Sequence, residues 1–276
     1  TRSAFVTGVQ TCALPISSCP DDLRPHLLSA VAETKTLAGW VAHDLSLARE
    51  ARQHLARALQ LTQQADDPAH SAIVLYYLGR VPLDNGDPIE ALKLFQLGQI
   101  AAQDSRSPTA VAFLLANEAV AYAHLGDARQ AKTALRRAED EYAHAHHDQQ
   151  PEFTRLFDHV ALNTATGRVH SRLGLTDPHH RQLAITHLNQ VLADDSHGRT
   201  RQRTFNQAWL ATCLLVDGDA ATGTQAGIQA LDSARDLTSP RLLEQLAPLQ
   251  TQTRRYSRHP EARQLSHELQ QLCAQL

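Results

Sequence analysis

The sequence predicts an all-α protein made of helix pairs that stack on one another. Three observations carry this. The hydrophobic 42% of the 276 residues falls mainly on Ala and Leu, and aromatics make up only 5%; Ala and Leu favour helices, whereas strands draw on Val, Ile and aromatic side chains. Apolar residues recur at three- and four-residue spacings along most of the chain, which is the period of a helix face. The dipeptide Gly-Asp recurs between such stretches, at Gly86-Asp87, Gly126-Asp127 and Gly218-Asp219.

Taken in order, the first segment stands apart. Val6-Thr-Gly-Val-Gln-Thr-Cys-Ala-Leu-Pro-Ile16 resembles a translated sequencing adapter along its whole length, and the chain contains no Met. Residues 1–16 are therefore expected to be non-native, with the native sequence beginning near Ser17 and residues 17–276 forming one repeat domain. Leu23, Leu27, Leu28 and Val31 make the first apolar stripe. Leu37, Trp40, Val41 and Leu45 make a second, which joins a long helix through Ala51, Leu55, Ala58, Leu59 and Leu61. Asp67-Pro68 then supplies a cap followed by a proline in the first helical position, where a missing N–H costs nothing. The helix it starts carries Ile73, Leu75, Tyr76, Leu78 and Val81 up to Asn85-Gly86. Asp87-Pro88-Ile89-Glu90 combines an N-cap, an N1 proline and an N3 glutamate.

The central pair is the clearest. Ser107-Pro108 opens a helix with Val111, Leu114, Leu115, Ala119, Tyr122 and Leu125, too broad an apolar surface for a helix with one wet face. Gly126 suits the left-handed stop, and Asp127 with Gln130 suits the next start. The helix that follows has a narrow stripe: Ala131, Ala134, Leu135, Ala138 and Tyr142. After a polar loop from His144 to Pro151 come a helix over Phe153–Leu173 ending at Gly174, one from Asp177-Pro178 to Leu192, and one over Thr204–Val216. The last helices carry Ala226 to Ala234, Leu242 to Leu249 after Ser239-Pro240, and Pro260 to Leu276, for roughly twelve in all.

A broadly apolar helix followed by an amphipathic one cannot hide its surface alone and needs neighbours of the same kind. Small residues follow each Gly-Asp turn at fixed distance, Ala91, Ala131 and Gly223 first, then Gly98, Ala138 and Ala230. They lie two turns apart on one face, where a neighbour must come close. This pattern resembles the tetratricopeptide repeat, with units longer than the usual ~34 residues, and implies a tetratricopeptide-like right-handed superhelix of about six helix pairs.

A further likeness lies in Val31-Ala-Glu-Thr-Lys-Thr-Leu-Ala-Gly-Trp-Val-Ala-His-Asp44, in the turn-plus-alanine pairs, and in Thr238-Ser-Pro-Arg-Leu242. These resemble the C-terminal repeat domain of actinobacterial XRE-type helix-turn-helix transcriptional regulators, over roughly Leu23 to Leu276. The resemblance implies a cytoplasmic ligand- or protein-binding sensor module whose DNA-binding domain is missing upstream. DNA would be reached only through that missing domain, the ligand would be a peptide or protein in the concave groove, and a homodimer stays open. A free-standing tetratricopeptide-repeat interaction scaffold is the alternative.

First helices line the concave side of such a stack. Asn117, Asn163 and Asn206 lie on first helices amid apolar neighbours, and an amide both donates to and accepts from a peptide backbone. The resemblance to peptide-sensing repeat regulators implies that these three grip a ligand main chain; inter-helix hydrogen bonding or plain exposure is the competing reading of the same residues. Arg199, Arg201 and Arg203 cluster where a helix begins. Positive charge is unfavourable there, so their use for an anionic group competes with a solvated stretch before the helix; Arg201 and Arg203 complete the candidate groove contacts. His144, His146 and His147, and the pair His179-His180, lack the partners a metal site needs. Cys12, Cys19, Cys213 and Cys273 have no zinc or disulfide spacing. No nucleophile elbow, phosphate loop, HExxH or dinucleotide fingerprint occurs, so no enzyme, cofactor or metal is expected. A net charge of −3 gives no general attraction to nucleic acid, and no apolar run is long enough for a membrane span.

Overall fold

A computed structural model describes residues 20–145, 157–194, 200–235, 237 and 239–274. Among these residues there are twelve α-helices and no strand. They form six pairs: α1 (Arg24–Asp44) with α2 (Ala48–Gln64), α3 (Pro68–Asp84) with α4 (Pro88–Asp104), and α5 (Pro108–Leu125) with α6 (Ala128–Ala143). After these come α7 (His159–Leu173) with α8 (Pro178–Ala193), α9 (Thr200–Asp217) with α10 (Ala220–Arg235), and α11 (Pro240–Thr253) with α12 (Pro260–Ala274), joined by a short 3-10 turn at Arg254–Tyr256. The adapter-like residues 6–16 lie outside the described residues, as do Phe153, Leu156 and Arg199.

One corner recurs. A residue in the left-handed region follows each of six helices: Ser46, Asp66, Gly86, Arg106, Gly126 and Gly218. The N–H of the residue after it returns to the carbonyl five residues earlier: Leu47 to Ala42, Asp67 to Thr62, Asp87 to Pro82, Ser107 to Ala102, Asp127 to Tyr122 and Asp219 to Leu214, all within 2.8–3.2 Å. This is the Schellman arrangement, which satisfies carbonyls that a helix end leaves bare. From Ser46 to Gly126 the corners fall every 20 residues, so the pair repeats every 40. Caps start the next helix: Asp67, Asp87, Ser107 and Asp127 each accept the backbone N–H three residues on.

The corner at Ser46 corrects the long helix read from Leu37 to Leu61. The chain turns at Leu45–Leu47, because Ser46 takes a positive φ of 58°. The stripe of Leu37, Val41 and Leu45 is exposed, and the buried face of α1 carries Leu28, Ala32, Thr36, Gly39 and Ala42 instead. The helix read from Phe153 begins at His159, capped by Asp158. That helix ends at Gly174 as expected, with a φ of −66°, and a Cβ there would sit 2.7 Å from Arg181 Cα. It is small because α8 crosses it, not because the backbone turns left-handed.

The core is a chain of layers. Each second helix packs against its own first helix and against the first helix of the next pair. The expected small positions are the contact points: Ala91, Ala131, Ala138 and Ala230 are fully buried, and Gly98 and Gly223 lie against Leu114 and Leu215. Seven residues before a corner the first helix is small, at Gly39, Gly79 and Ala119. Leu55 fills the space over Gly39, and Phe95 the space over Gly79. The broad apolar surface of α5 is explained by its neighbours, since α3, α4, α6 and α7 all touch it.

First helices also touch one another in sequence, α1 to α3, α3 to α5, and on to α11, and α11 returns to touch α1. The superhelix therefore closes on itself. Six first helices form an inner ring, and the second helices lie outside it.

Candidate functional site

The ring encloses a cavity of about 630 Å³. Its lining follows from the corners. Counted back from Gly86, Gly126 and Gly174, positions 13, 9 and 6 face inward: Ile73, Tyr77 and Arg80 on α3, Phe113, Asn117 and Val120 on α5, and Ala161, Ala165 and Arg168 on α7. Counted back from Gly218, positions 13 and 9 give Phe205 and Trp209 on α9. These offsets differ by three and four, so they form one stripe on each helix.

Two chemistries meet there. Seven of the lining residues are aromatic, including both tryptophans of the chain, and four are arginines: Arg80, Arg168, Arg201 and Arg241. No described lining residue is acidic. The balancing carboxylates sit at the ring's edge, at the last residues of α1 and α3. Asp84 is 2% exposed and accepts from Arg80 Nη2 at 3.0 Å, Arg241 Nη1 at 3.1 Å and Arg168 Nη2 at 3.3 Å, with His43 Nε2 3.1 Å away. Asp44 accepts both terminal nitrogens of Arg201, at 2.6 and 3.0 Å. An acid at a helix C-terminus meets the unfavourable end of the dipole; here the guanidiniums offset it. Ser239 Oγ accepts from Arg201 and donates to the Asp44 carbonyl. These contacts join segments 157 and 195 residues apart, and they close the ring.

The electrostatics are lopsided. Burial costs a guanidinium its hydration, and the charge of Arg80 adds repulsion, so Arg168 and Arg241 are each pulled down to about 10. Arg80 itself is raised: burial opposes its charge, but adjacent Asp84 outweighs burial. Asp84 is held well below the usual carboxylate range, its burial outweighed by Arg80, His43, Arg168 and Arg241. His124 faces the same cations and falls to about 3, through burial first and then Arg168 and Arg172. Each lining arginine also lies over a ring, Arg241 over Trp40 at 4.5 Å, Arg168 over Trp209 at 5.6 Å, Arg201 over Phe205 at 5.8 Å and Arg80 over Tyr76 at 6.0 Å, distances at which the ring face stabilises the cation.

The sequence candidates divide. Asn117 lies at offset 9 and lines the cavity, its Nδ2 donating to the Phe113 carbonyl at 2.9 Å. Asn163, at offset 11, is exposed. Asn206, at offset 12, is buried, with Nδ2 3.4 Å from Thr164 Oγ1 and Oδ1 without a partner. Arg201 lines the cavity in the first turn of α9, and Arg203 lies behind it with Nη1 3.4 Å from the Leu192 carbonyl. Arg80, Arg168 and Arg241 were not among the candidates. Their signal was present: a lone arginine on the apolar face of a first helix.

Among the described residues no group of three or more His, Cys, Asp and Glu is placed to hold a metal. His146 and His147 lie outside them. His170 and His180 share a 2.8 Å contact between Nδ1 atoms, and Cys213 is buried, which pushes its thiol up to about 12. No described helix is long and apolar enough to cross a membrane.

The fold and cavity define an all-α superhelical repeat protein of the tetratricopeptide-like kind, with its inner surface closed around a basic, aromatic chamber. No family model matches the chain, and no curated protein does. Two solved structures from Podosopora anserina are similar to it, both of a putative kinesin light chain with nearly identical TPR-like repeats. One, of a singly substituted form, shares 16% identity, covers 77% of this chain and 96% of its own, and has a TM-score of 0.48. The other shares 17%, covers 73% and 99%, and has a TM-score of 0.41.

Proposed function

We infer that this chain is a ligand-binding sensor module, the repeat half of a cytoplasmic transcriptional regulator, and not an enzyme. The observation that supports binding is the inner ring: six helices from distant parts of the sequence enclose one cavity, closed by ion pairs from the first two helix pairs to the last two. A ligand among those arginines changes the balance of the contacts that hold the ends together. It thereby shifts the superhelix between two shapes. The regulator context rests on the likeness of Val31–Asp44 and of the Thr238–Leu242 segment to XRE-type regulators, whose DNA-binding domain would precede the repeats.

Two measurements test this reading. The native reading frame upstream of Ser17 should encode a helix-turn-helix; a frame without one removes the regulator and leaves a scaffold. Native mass spectrometry of the chain purified under gentle conditions should show a bound species that leaves on unfolding. An empty chain that also binds nothing offered to it would overturn the sensor reading.

A further inference from the structure

We propose that the cavity takes a small organic anion, one carboxylate or phosphate group on a flat apolar body, anchored by Arg168. The proposal rests on the binding reading above and specifies its ligand. Four features of the chamber carry it.

The first is size. A space of about 630 Å³ falls in the usual range for small-molecule sites, about 300–1,000 Å³. The second is shape. Phe205 and Trp209 lie nearly parallel, 17° apart with centroids 6.0 Å from each other, and Phe113 packs against Tyr76 at 4.2 Å and Phe157 at 5.0 Å. Such walls accept flat apolar groups.

The third is charge. Four guanidiniums face the chamber and no described carboxylate does. A planar guanidinium matches carboxylate and phosphate oxygens bidentately. The fourth singles out Arg168. Arg80, Arg201 and Arg241 hold Asp84 or Asp44 at 2.6–3.1 Å. Arg168 makes one long bond, 3.3 Å to Asp84 Oδ1. Asp84 already serves Arg80 and Arg241 at shorter range, so Arg168 is the least compensated cation in the ring. Burial and the charge of Arg80 depress its proton affinity as they do that of Arg241, so it is the contact distances that set Arg168 apart. An incoming oxyanion at Arg168 competes with Asp84, the carboxylate that also holds Arg241 across the closure, and leaves the Asp44 pairs in place.

A peptide main chain fits less well. It needs a row of free amide donors and acceptors, and of the three lining amides two commit their donors within the protein, Asn117 Nδ2 to Phe113 O and Gln202 Nε2 to Thr164 Oγ1, which leaves Gln245 in place of a row.

The test uses the full chain and three probes of nearly equal size: 1-naphthoate, 1-naphthyl phosphate and neutral 1-naphthalenemethanol, each titrated by calorimetry at low and moderate salt. The expected result is that at least one anion binds ten-fold or more tightly than the alcohol, with the preference shrinking as salt rises. The better anion then tells carboxylate from phosphate. Arg168→Gln should remove most of that preference, and Arg129→Gln, on the exposed outer face of α6, should keep it. The comparison of anion with alcohol on the unaltered chain decides the matter even where Arg168→Gln fails to fold. Equal binding of alcohol and anions, or a peptide recovered by native mass spectrometry, overturns the anion class and leaves the binding reading standing. No probe binding together with an empty chain overturns both.

Discussion

Replacing Asp84 with Asn is the sharpest probe of how the ring is held. The substitution keeps shape and removes one charge. In the native protein this carboxylate is 2% exposed and gathers three guanidiniums at 3.0, 3.1 and 3.3 Å, with His43 at 3.1 Å. Asn offers one acceptor oxygen in place of two, and its NH₂ group points donors at donors. Arg80 and Arg241 are themselves largely buried, 14% and 5% exposed, so they have little water to turn to. Removing one partner of a buried pair costs about 3–5 kcal/mol, and Asp84→Asn belongs in that range. At roughly 2–4 °C per kcal/mol for chains near this size, the melting temperature should drop by about 10 °C. Asp44→Asn is the internal comparison. Asp44 is 20% exposed and chiefly serves Arg201, so its loss should cost about 1.5–3 kcal/mol, the range for a hydrogen bond to a charged group. Urea unfolding at pH 7 with unchanged m-values measures both. The pH profile adds a sign. Because the folded protein holds Asp84 well below its ordinary value, the stabilisation is complete above about pH 4, the unfolded value, and declines only as pH falls further. The gap between native protein and Asp84→Asn should thus stay constant from about pH 7 to 5 and close below about 4. A loss under about 1 kcal/mol, the range of exposed pairs, would refute the account of a buried hub closing the ring.

Other outcomes follow from the same geometry. His170 is pulled down to about 4 by burial and then by neighbouring histidines, and His124 to about 3. The folded state resists protonation that the unfolded chain accepts near pH 6.5, so stability is complete above that value and falls as pH drops toward about 4; urea midpoints at pH 7.5 and 5 measure the fall, and His170→Gln should flatten it. Gly126→Ala places a Cβ on a φ of +77° in open space and should cost about 1 kcal/mol through backbone strain alone. Arg106→Gly relieves the same strain at φ 53° and should leave thermal stability equal or higher. Gly79→Ala drives a Cβ to 2.4 Å from the Phe95 ring, an overpacking that should cost about 1–3 kcal/mol in a urea melt.

Much of this architecture was readable because helix ends are chemically marked. Asp67-Pro68, Asp87-Pro88 and Ser107-Pro108 state where helices begin, and Gly86, Gly126 and Gly218 where they stop. The corners without glycine carried no mark of their own: those at Asp66 and Arg106 showed only through the caps that follow them, and the one at Ser46 did not show at all. Ser46, Asp66 and Arg106 adopt the same left-handed turn, but none of these residues demands it, so the 20-residue spacing was hidden and α1 ran on into α2. The cavity escaped for a different reason. Arg80, Arg168 and Arg241 are separated by more than 70 residues each, and a lone arginine on an apolar helix face names no partner. Only closure of the ring, which no local pattern encodes, brings them within reach of one carboxylate. Of the three asparagines, the offset from the corner decides placement: nine residues back faces the chamber, eleven faces solvent, and twelve is buried behind the lining.

That offset links sequence to chemistry. The Schellman corner fixes the end of a first helix to within one hydrogen-bond pattern, and a helix is rigid over the roughly two turns between positions 13 and 6. Whatever stands at those positions is thereby aimed inward without any long-range instruction. The chain fills the inward positions with rings at Tyr77, Phe113, Phe205 and Trp209 and with a cation at Arg80, and Arg168 keeps the same distance from Gly174, where α7 ends without that corner. No single pair makes a binding site from these. A tyrosine and an arginine on an isolated hairpin would be a solvated surface, where their attraction is worth about 0.5–1 kcal/mol. Stacked into a ring, the same residues lose water, gain one another's fields and outnumber the carboxylates that restrain them. The excess positive charge inside is a product of closure, and so any agent that neutralises it acts on closure as well.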